Sequence, residues 1–505
     1  MLSKNTQNPH QTCLFNSRLI DIINSNHPLV LLANKIEWKY FEDIFSTHYS
    51  RKGRPAMPIR MMVGCMFLKH LYNLGDETLA KQWVENPYMQ YFCGCVHFQH
   101  KFPCDPSDFV HFRKRIGEKG MKKIFEYTVW LNKMDSDKHK EKGKGKDKEN
   151  EKDKNKNIDK VKDSGKDKNV EKEEENKGEN NKDKVKEEEM EVEVVLSDTT
   201  VQENNTTFPT DAKLYRKIIE KVHKIAVAEG IKQKQSYIRV SKEQLRKASN
   251  RRGKNQEKEA KKATGQLKRE AEKVVKELEE KLGEKEKEKY QKFIVLIKQV
   301  LSQEKESKNK VYSLHKPYTS CIAKGKAGKP YEFGNKIGLM VDKEEGIVIG
   351  VKGFEGNPYD NKTIEPLIKE LKEMGIKIRE VVYDRGGRGR EEIEGVKISI
   401  PKKLDKDVSK KERESIREKF RARAGIEGII SHLKRWYRMG VNYYSCLGFG
   451  SVQMNAYLSA AAWNLKKWME KAIRFIFDFI WRMLIETKLD ENFVFKFIIK
   501  TKVNF

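Results

Sequence analysis

Between Asp135 and Glu193 the chain contains no Phe, Trp or Tyr and consists almost wholly of Lys, Glu, Asp, Asn and Gly. Such a stretch cannot bury enough apolar surface to offset the entropy lost on ordering, so it reads as a disordered tether or at best a solvated helix. A chain of 505 residues interrupted in this way cannot be one uniform domain. The expected division is a flexible start (1–27), a helical N-terminal domain (28–134), the tether (135–193), an α/β core (194–212 and 311–468) divided by a helical insertion (213–310), and an amphipathic tail (469–505).

The folded parts show clear periodicities. In the N-terminal part, MPIRMMVGCMFLKHLYNLG has apolar residues at helical spacing, Gly75 and Asp76 break the pattern, and ETLAKQWVEN starts a second helix. Helix, turn and helix fit a DNA-binding module, and equally an ordinary helical bundle. In the insertion, Leu267, Ala271, Val274, Leu278 and Leu282 recur at spacings of four, three, four and four, a heptad-like stripe flanked by charge. After the tether, EVEVVLSDTTVQ reads as a strand. YEFGNKIGLMVDKEEGIVIGVKGF reads as two strands joined at Lys343 to Gly346, followed by the helix NKTIEPLIKELKEMG and the strands IREVVYD and VKISIPKK. The last strong helix, AGIEGIISHLKRWYRMG, is expected to stop at Gly440. This order predicts an α/β layered domain with a mixed sheet.

The net charge of +29 and pI near 9.5 point to a polyanionic partner, nucleic acid first. Seven scattered cysteines suit a reducing compartment. The N-terminus lacks the apolar run of a signal peptide, and charges interrupt the apolar stretch after Ala472. These features predict a cytoplasmic protein with no membrane role. Cys93, Cys95, His97, His100, Cys104 and His111 crowd together in a spacing that fits no standard zinc finger. The interleaved Phe92, Phe98, Phe102, Phe109 and Phe112 favour a packed core there. Neither KGKAGK nor DRGGRGRE completes a nucleotide-binding loop, so no ATP site is expected.

Two of the predicted strands end in an aspartate, VVLSDTT at Asp198 and VVYDRGG at Asp384, and a third acid, Glu427, lies 43 residues after Asp384 on the last helix. Carboxylates at the ends of neighbouring strands can face one crevice. Arg423 and Lys434 fall within roughly 40° of Glu427 around that helix. Phosphodiester cleavage needs charge neutralisation and an activated oxygen nucleophile, which two Mg²⁺ ions about 3.5–4 Å apart can supply, with Mn²⁺ as a substitute. Arg423, Lys434 and Arg385 would grip phosphates near the cut, and Arg251 and Arg252 in SNRRGKN are either further phosphate contacts or a solvated helix face.

FRARAGIEGIISHLK, with Phe420, Arg423, Glu427 and Lys434, closely resembles the signature of the IS5-type insertion-sequence transposases. So do SDTTVQENNTTFPTDAKLY, YSLHKP, YEFGNK, GNPYDNKT and YDRGGRG, while RKGRPAMPIRMMVGCMFLKHLYNLGDETL and WVENPYMQYFCG resemble that family's N-terminal domain. Phe420 stands where the signature has Tyr. The resemblance implies an RNase H-like catalytic core with a helical insertion after the first strand, behind an α-helical DNA-binding domain. It also implies a metal-binding triad of Asp198, Asp384 and Glu427, with double-stranded DNA, at element ends and target, as substrate and a homodimer as the active complex. A bacterial, nucleoid-associated location is likewise what the resemblance implies. A hydrolytic nuclease on the same fold and a non-catalytic DNA-binding remnant are the competing functions.

Overall fold

The computed structural model describes residues 17–50, 52, 55–152, 190–250, 253–326, 328–384, 386, 389–401, 409–445 and 447–486, with side chains left undescribed at 135–152, 326 and 477–486. The strands are β1 (Met190–Asn204), β2 (Ser320–Lys326), β3 (Lys329–Asp342), β4 (Val348–Phe354), β5 (Ile376–Val382), β6 (Glu392–Ile393), β7 (Val396–Ser399) and β8 (Val441–Asn442). They form one mixed sheet in which β4, β3, β1, β5 and β7 lie side by side. β3 runs antiparallel to β1 and β4 antiparallel to β3, whereas β5 is parallel to β1 and β7 parallel to β5. The predicted hairpin forms as expected, with Gly346 N–H donating to Asp342 O at 2.9 Å.

Among the described residues, eleven helices precede β2 in the chain: α1 (Leu19–Ile22), α2 (Pro28–Lys35), α3 (Trp38–Ser46), α4 (Ile59–Leu71), α5 (Asp76–Glu85), α6 (Pro87–Phe92), α7 (Asp108–Lys152), α8 (Asp211–Ala228), α9 (Ile238–Ser249), α10 (Lys254–Lys281) and α11 (Glu284–Ser302). They are followed by α12 (Asn361–Glu373), α13 (Lys410–Ala424), α14 (Ile426–Trp436) and α15 (Gly450–Glu486). α8 to α11 lie between β1 and β2 and have their own core, in which all five residues of the predicted stripe from Leu267 to Leu282 are buried. Thr210 starts α8 by accepting from Lys213 N–H.

α12 covers one face of the sheet. Its Leu367 sits so close to Gly338 that a Cβ there would lie 2.8 Å from Leu367 Cδ1. α15 covers the other face and also closes the sheet's edge. Among the described residues β4 has no strand beyond it, and the side-chain amides of α15 pair with backbone groups on that side. Gln453 donates to Val351 O and accepts from Gly353 N–H, and Asn464 both accepts from and donates to Val348. The spacing accounts for the match: eleven helical residues and five strand residues each span about 16 Å. Capping an edge in this way removes a template for aberrant strand pairing.

Several expectations need correction. Residues 17–27 belong to the folded body: Leu19 is fully buried, and its N–H donates to Val96 O at 2.7 Å. The N-terminal helices and the sheet share one hydrophobic core, joined by α7 and α15 through the stacked Phe125 and Tyr457 and a bond from Asn132 to Asn464 O. α4 is buried along almost its whole length, so it is a central packing helix of this core. α7 continues to Lys152, and β1 opens at Met190, inside the predicted tether, because Val192 is needed in the core. The remainder of the tether lies outside the described residues, as does the tail beyond Glu486. The helix expected to be the last strong one, α14, ends at Trp436, not Gly440, and α15 follows it. Arg438 takes the left-handed turn (φ 64) and Met439 N–H bonds back to Leu433 O. Gly440 is required instead because a Cβ would lie 2.7 Å from Lys434 O.

Candidate active site

β1 and β5 pair as far as Leu196 and Val382, and then the strands part. Among the described residues, β1 continues without a strand partner on that side until β8 joins it at Glu203 and Asn204. Asp198 lies just past the parting point on β1, and Asp384 lies in the loop that leaves β5. Asp384 stands just past the end of β5 as predicted, whereas Asp198, predicted to end its strand, lies within β1, which runs on to Asn204 because β3 keeps pairing with it; both aspartates face one crevice where the parallel strands part.

Arg423, in the last turn of α13, joins them. Its Nη2 is 2.8 Å from Asp198 Oδ2 and 3.5 Å from Asp384 Oδ2. The Arg423 and Asp198 side chains are 16% and 15% exposed, while Asp384 is 39% exposed. Thr199 N–H donates to Asp198 Oδ1 and Gly386 N–H to Asp384 Oδ1. Burial raises the Asp198 carboxyl above its ordinary pKa. Arg423 and the Thr199 N–H counteract this, and the negative charges of Asp384 and Glu427 add to the rise. Glu427 is exposed in the first turn of α14, close enough to be felt at Asp198. Gly425, in helical conformation between α13 and α14, carries Arg423 and Glu427 through almost a single helical path.

Lys434 sits further along α14, 4.0 Å from the buried Glu332, and burial pulls its ammonium pKa down. Arg385, Arg251 and Arg252 lie outside the described residues. Among the described residues, no three His, Cys, Asp or Glu side chains converge closely enough to hold an ion as they stand. Yet the two aspartates already share one cationic group, and their hard oxygens suit Mg²⁺. The residues present fit such an ion.

One acid escaped the sequence reading. Asp360 lies within GNPYDNKT, yet nothing local marks its carboxylate as part of the crevice. Its Oδ1 accepts from Thr199 Oγ1 at 3.0 Å and from Lys336 Nζ at 2.9 Å. Beneath the site, Tyr383 is buried, its hydroxyl 3.4 Å from Thr363 Oγ1 and its pKa raised by burial. In the cysteine-rich segment, Cys93 lies 3.7 Å from Cys65, Phe92, Phe109 and Phe112 are buried, and burial pushes the Cys95 and Cys104 thiols up to about 12.

Residues 17–115 match the family described as a transposase domain (DUF772), and residues 305–465 match the transposase DDE domain. The matches define an enzyme that acts on DNA, and the DDE domain implies an RNase H-like fold, consistent with the mixed sheet. A Rhizobium meliloti protein described as "uncharacterized protein ORF8 in nfe locus" is 32% identical over 229 residues, covering 45% of this chain and 87% of that protein. The chain belongs to the DDE transposase family. Members of this family generally use divalent metal ions. Asp384 and Glu427 fall within the matched DDE segment, while Asp198 lies before it. No solved structure matches the chain. Among the described residues, no helix is long and apolar enough to cross a membrane.

Proposed function

We propose that this chain is the transposase of an IS5-type insertion sequence. It binds double-stranded DNA at the element's ends, cleaves a strand and transfers the freed 3′-hydroxyl into target DNA, acting as a homodimer in the bacterial cytoplasm beside the nucleoid. The observation that carries the reading is the sharing of one guanidinium by Asp198 and Asp384, which brings an acid on β1 and an acid in the loop after β5 to a single cationic point.

Asp198, Asp384 and Glu427 would hold two Mg²⁺ ions, which when bound neutralise charge at the scissile phosphate and activate the attacking oxygen. Arg423, released from the acids, is placed to take a phosphate oxygen beside the cut. Lys434, about two helical turns beyond Glu427, would hold the next stretch of backbone, with Arg385, Arg251 and Arg252 extending the contact. The excess of basic residues over the whole chain supports a large phosphate-binding surface.

The test is to incubate the purified protein with DNA carrying the flanking ends of its gene, in Mg²⁺ or in EDTA, and to size the strands. Mg²⁺-dependent cleavage with joined products is expected. Cleavage without joining would make the protein a hydrolytic nuclease, and specific binding without cleavage would make it a DNA-binding remnant.

A further inference from the structure

Asp360 stands at the start of α12, where an aspartate side chain ordinarily accepts from the N–H groups of the first turn. Here it does not. The Asp360 main-chain carbonyl performs that task, accepting from Thr363 N–H at 3.0 Å and Thr363 Oγ1 at 2.6 Å. The carboxylate is directed across the sheet instead. It accepts from Thr199, the neighbour of Asp198 on β1, and from Lys336 on β3. Lys336 is 12% exposed and also donates to Pro358 O at 2.7 Å, so one ammonium secures the loop before α12 at two points.

The second oxygen of Asp360 faces the loop that carries Asp384. A Cβ on Gly386 would lie 2.9 Å from both Asp360 Oδ2 and Asp384 Oδ1, which places two carboxylates around a residue with no side chain. Asp360 thus touches the neighbour of one crevice acid and lies across Gly386 from the other. Its hydrogen bonds reach three separate elements, more than a simple surface ion pair requires.

We infer that Asp360 is a positioning residue for divalent-cation binding by Asp198 and Asp384, an inference that rests on the metal-dependent reading above. Its bond to Thr199 fixes the main chain next to Asp198, and its charge adds to the negative field on the Asp384 side. Outer carboxylates of this kind orient the groups that touch the ion and typically change metal affinity about tenfold or more.

Mn²⁺ binding to the full chain, followed by electron paramagnetic resonance with melting temperature measured alongside, provides the test. Asp360→Asn keeps the shape and an acceptor but removes the charge; it is expected to weaken Mn²⁺ binding about tenfold without a matching loss of melting temperature. Thr199→Val cuts the link from the other side and leaves the Asp360–Lys336 pair intact; a smaller loss of affinity is expected. Thr199→Val also decides the matter if Asp360→Asn does not fold. Wild-type affinity in the folded variants overturns the inference. Asp384→Asn, run in parallel, separates the two readings. If it loses Mn²⁺ while the Asp360 and Thr199 variants do not, only the positioning role fails. If the wild-type chain binds no Mn²⁺, the metal-dependent reading fails and the role of Asp360 falls with it.

Discussion

Arg423 Nη2 lies 2.8 Å from Asp198 Oδ2 and reaches Asp384 as well, so one side chain neutralises an acid on β1 and another in the loop after β5. An arginine and a metal cannot both occupy the space between these oxygens. Arg423→Gln is therefore expected to bind Mn²⁺ more tightly than wild type in the absence of DNA, by calorimetric titration. It should also cleave DNA about a hundredfold more slowly, because a phosphate contact is lost. Unchanged Mn²⁺ affinity would show that the arginine and the ion do not compete.

Asp384→Asn preserves the size of the side chain and removes a charged oxygen. Strand cleavage should fall below detection, while DNA affinity in a gel-shift titration stays close to wild type, since the phosphate-gripping bases are untouched. Cleavage retained by this variant would remove Asp384 from the proposed triad.

Gly334 tests the sheet. A Cβ at this position would lie 2.0 Å from Gln202 O on the neighbouring strand, a backbone atom that cannot rotate away. Gly334→Ala should destabilise the protein by about 3 kcal/mol in urea denaturation, as overpacking commonly does. A neutral effect would mean that β1 and β3 separate there at little cost.

Lys69 provides a pH dependence. It is buried beside Arg113, and both share the single carboxylate of Asp76. Burial, reinforced by Arg113, lowers its pKa from 10.5 to about 7. The folded protein thus releases this proton before the unfolded chain does, unfolding takes up a proton between about pH 7 and 10.5, and this contribution to stability rises with pH across that window. The melting temperature of Lys69→Met, compared with wild type from pH 6.5 to 9, should lack this component of the rise. Parallel curves would place the Lys69 pKa outside the window.

Much of the sheet was legible because its signals are local. Alternation marks β1, the turn at Lys343 to Gly346 separates β3 from β4, and the apolar run before Tyr383 marks β5. β8 has no such signal: two residues become a strand only because β5 has left β1 unpaired at that level. The same holds for helix ends, where Arg438 rather than a glycine takes the left-handed turn. Asp384 was visible as a strand-end acid; Asp198 was picked out for the same reason, although β1 runs past it to Asn204, and Glu427 and Arg423 were visible through their shared helix face and the resemblance. Asp360 was hidden because its partners, Thr199 and Lys336, come from strands 161 and 24 residues away. No periodicity records a contact of that range.

α15 has a consequence for how such a chain can change. Its Gln453 and Asn464 finish the sheet at β4, and other side chains of the same helix, Asn455 and Tyr457, meet His70 and Phe125 of the N-terminal helices. The two transposase segments are separate along the sequence but interlocked in space. Exchanging the N-terminal segment with that of a relative would therefore carry a new surface against α15, and through it against β4. Recombination that treats the two segments as independent cassettes should yield few folded proteins unless α15 travels with the segment it receives.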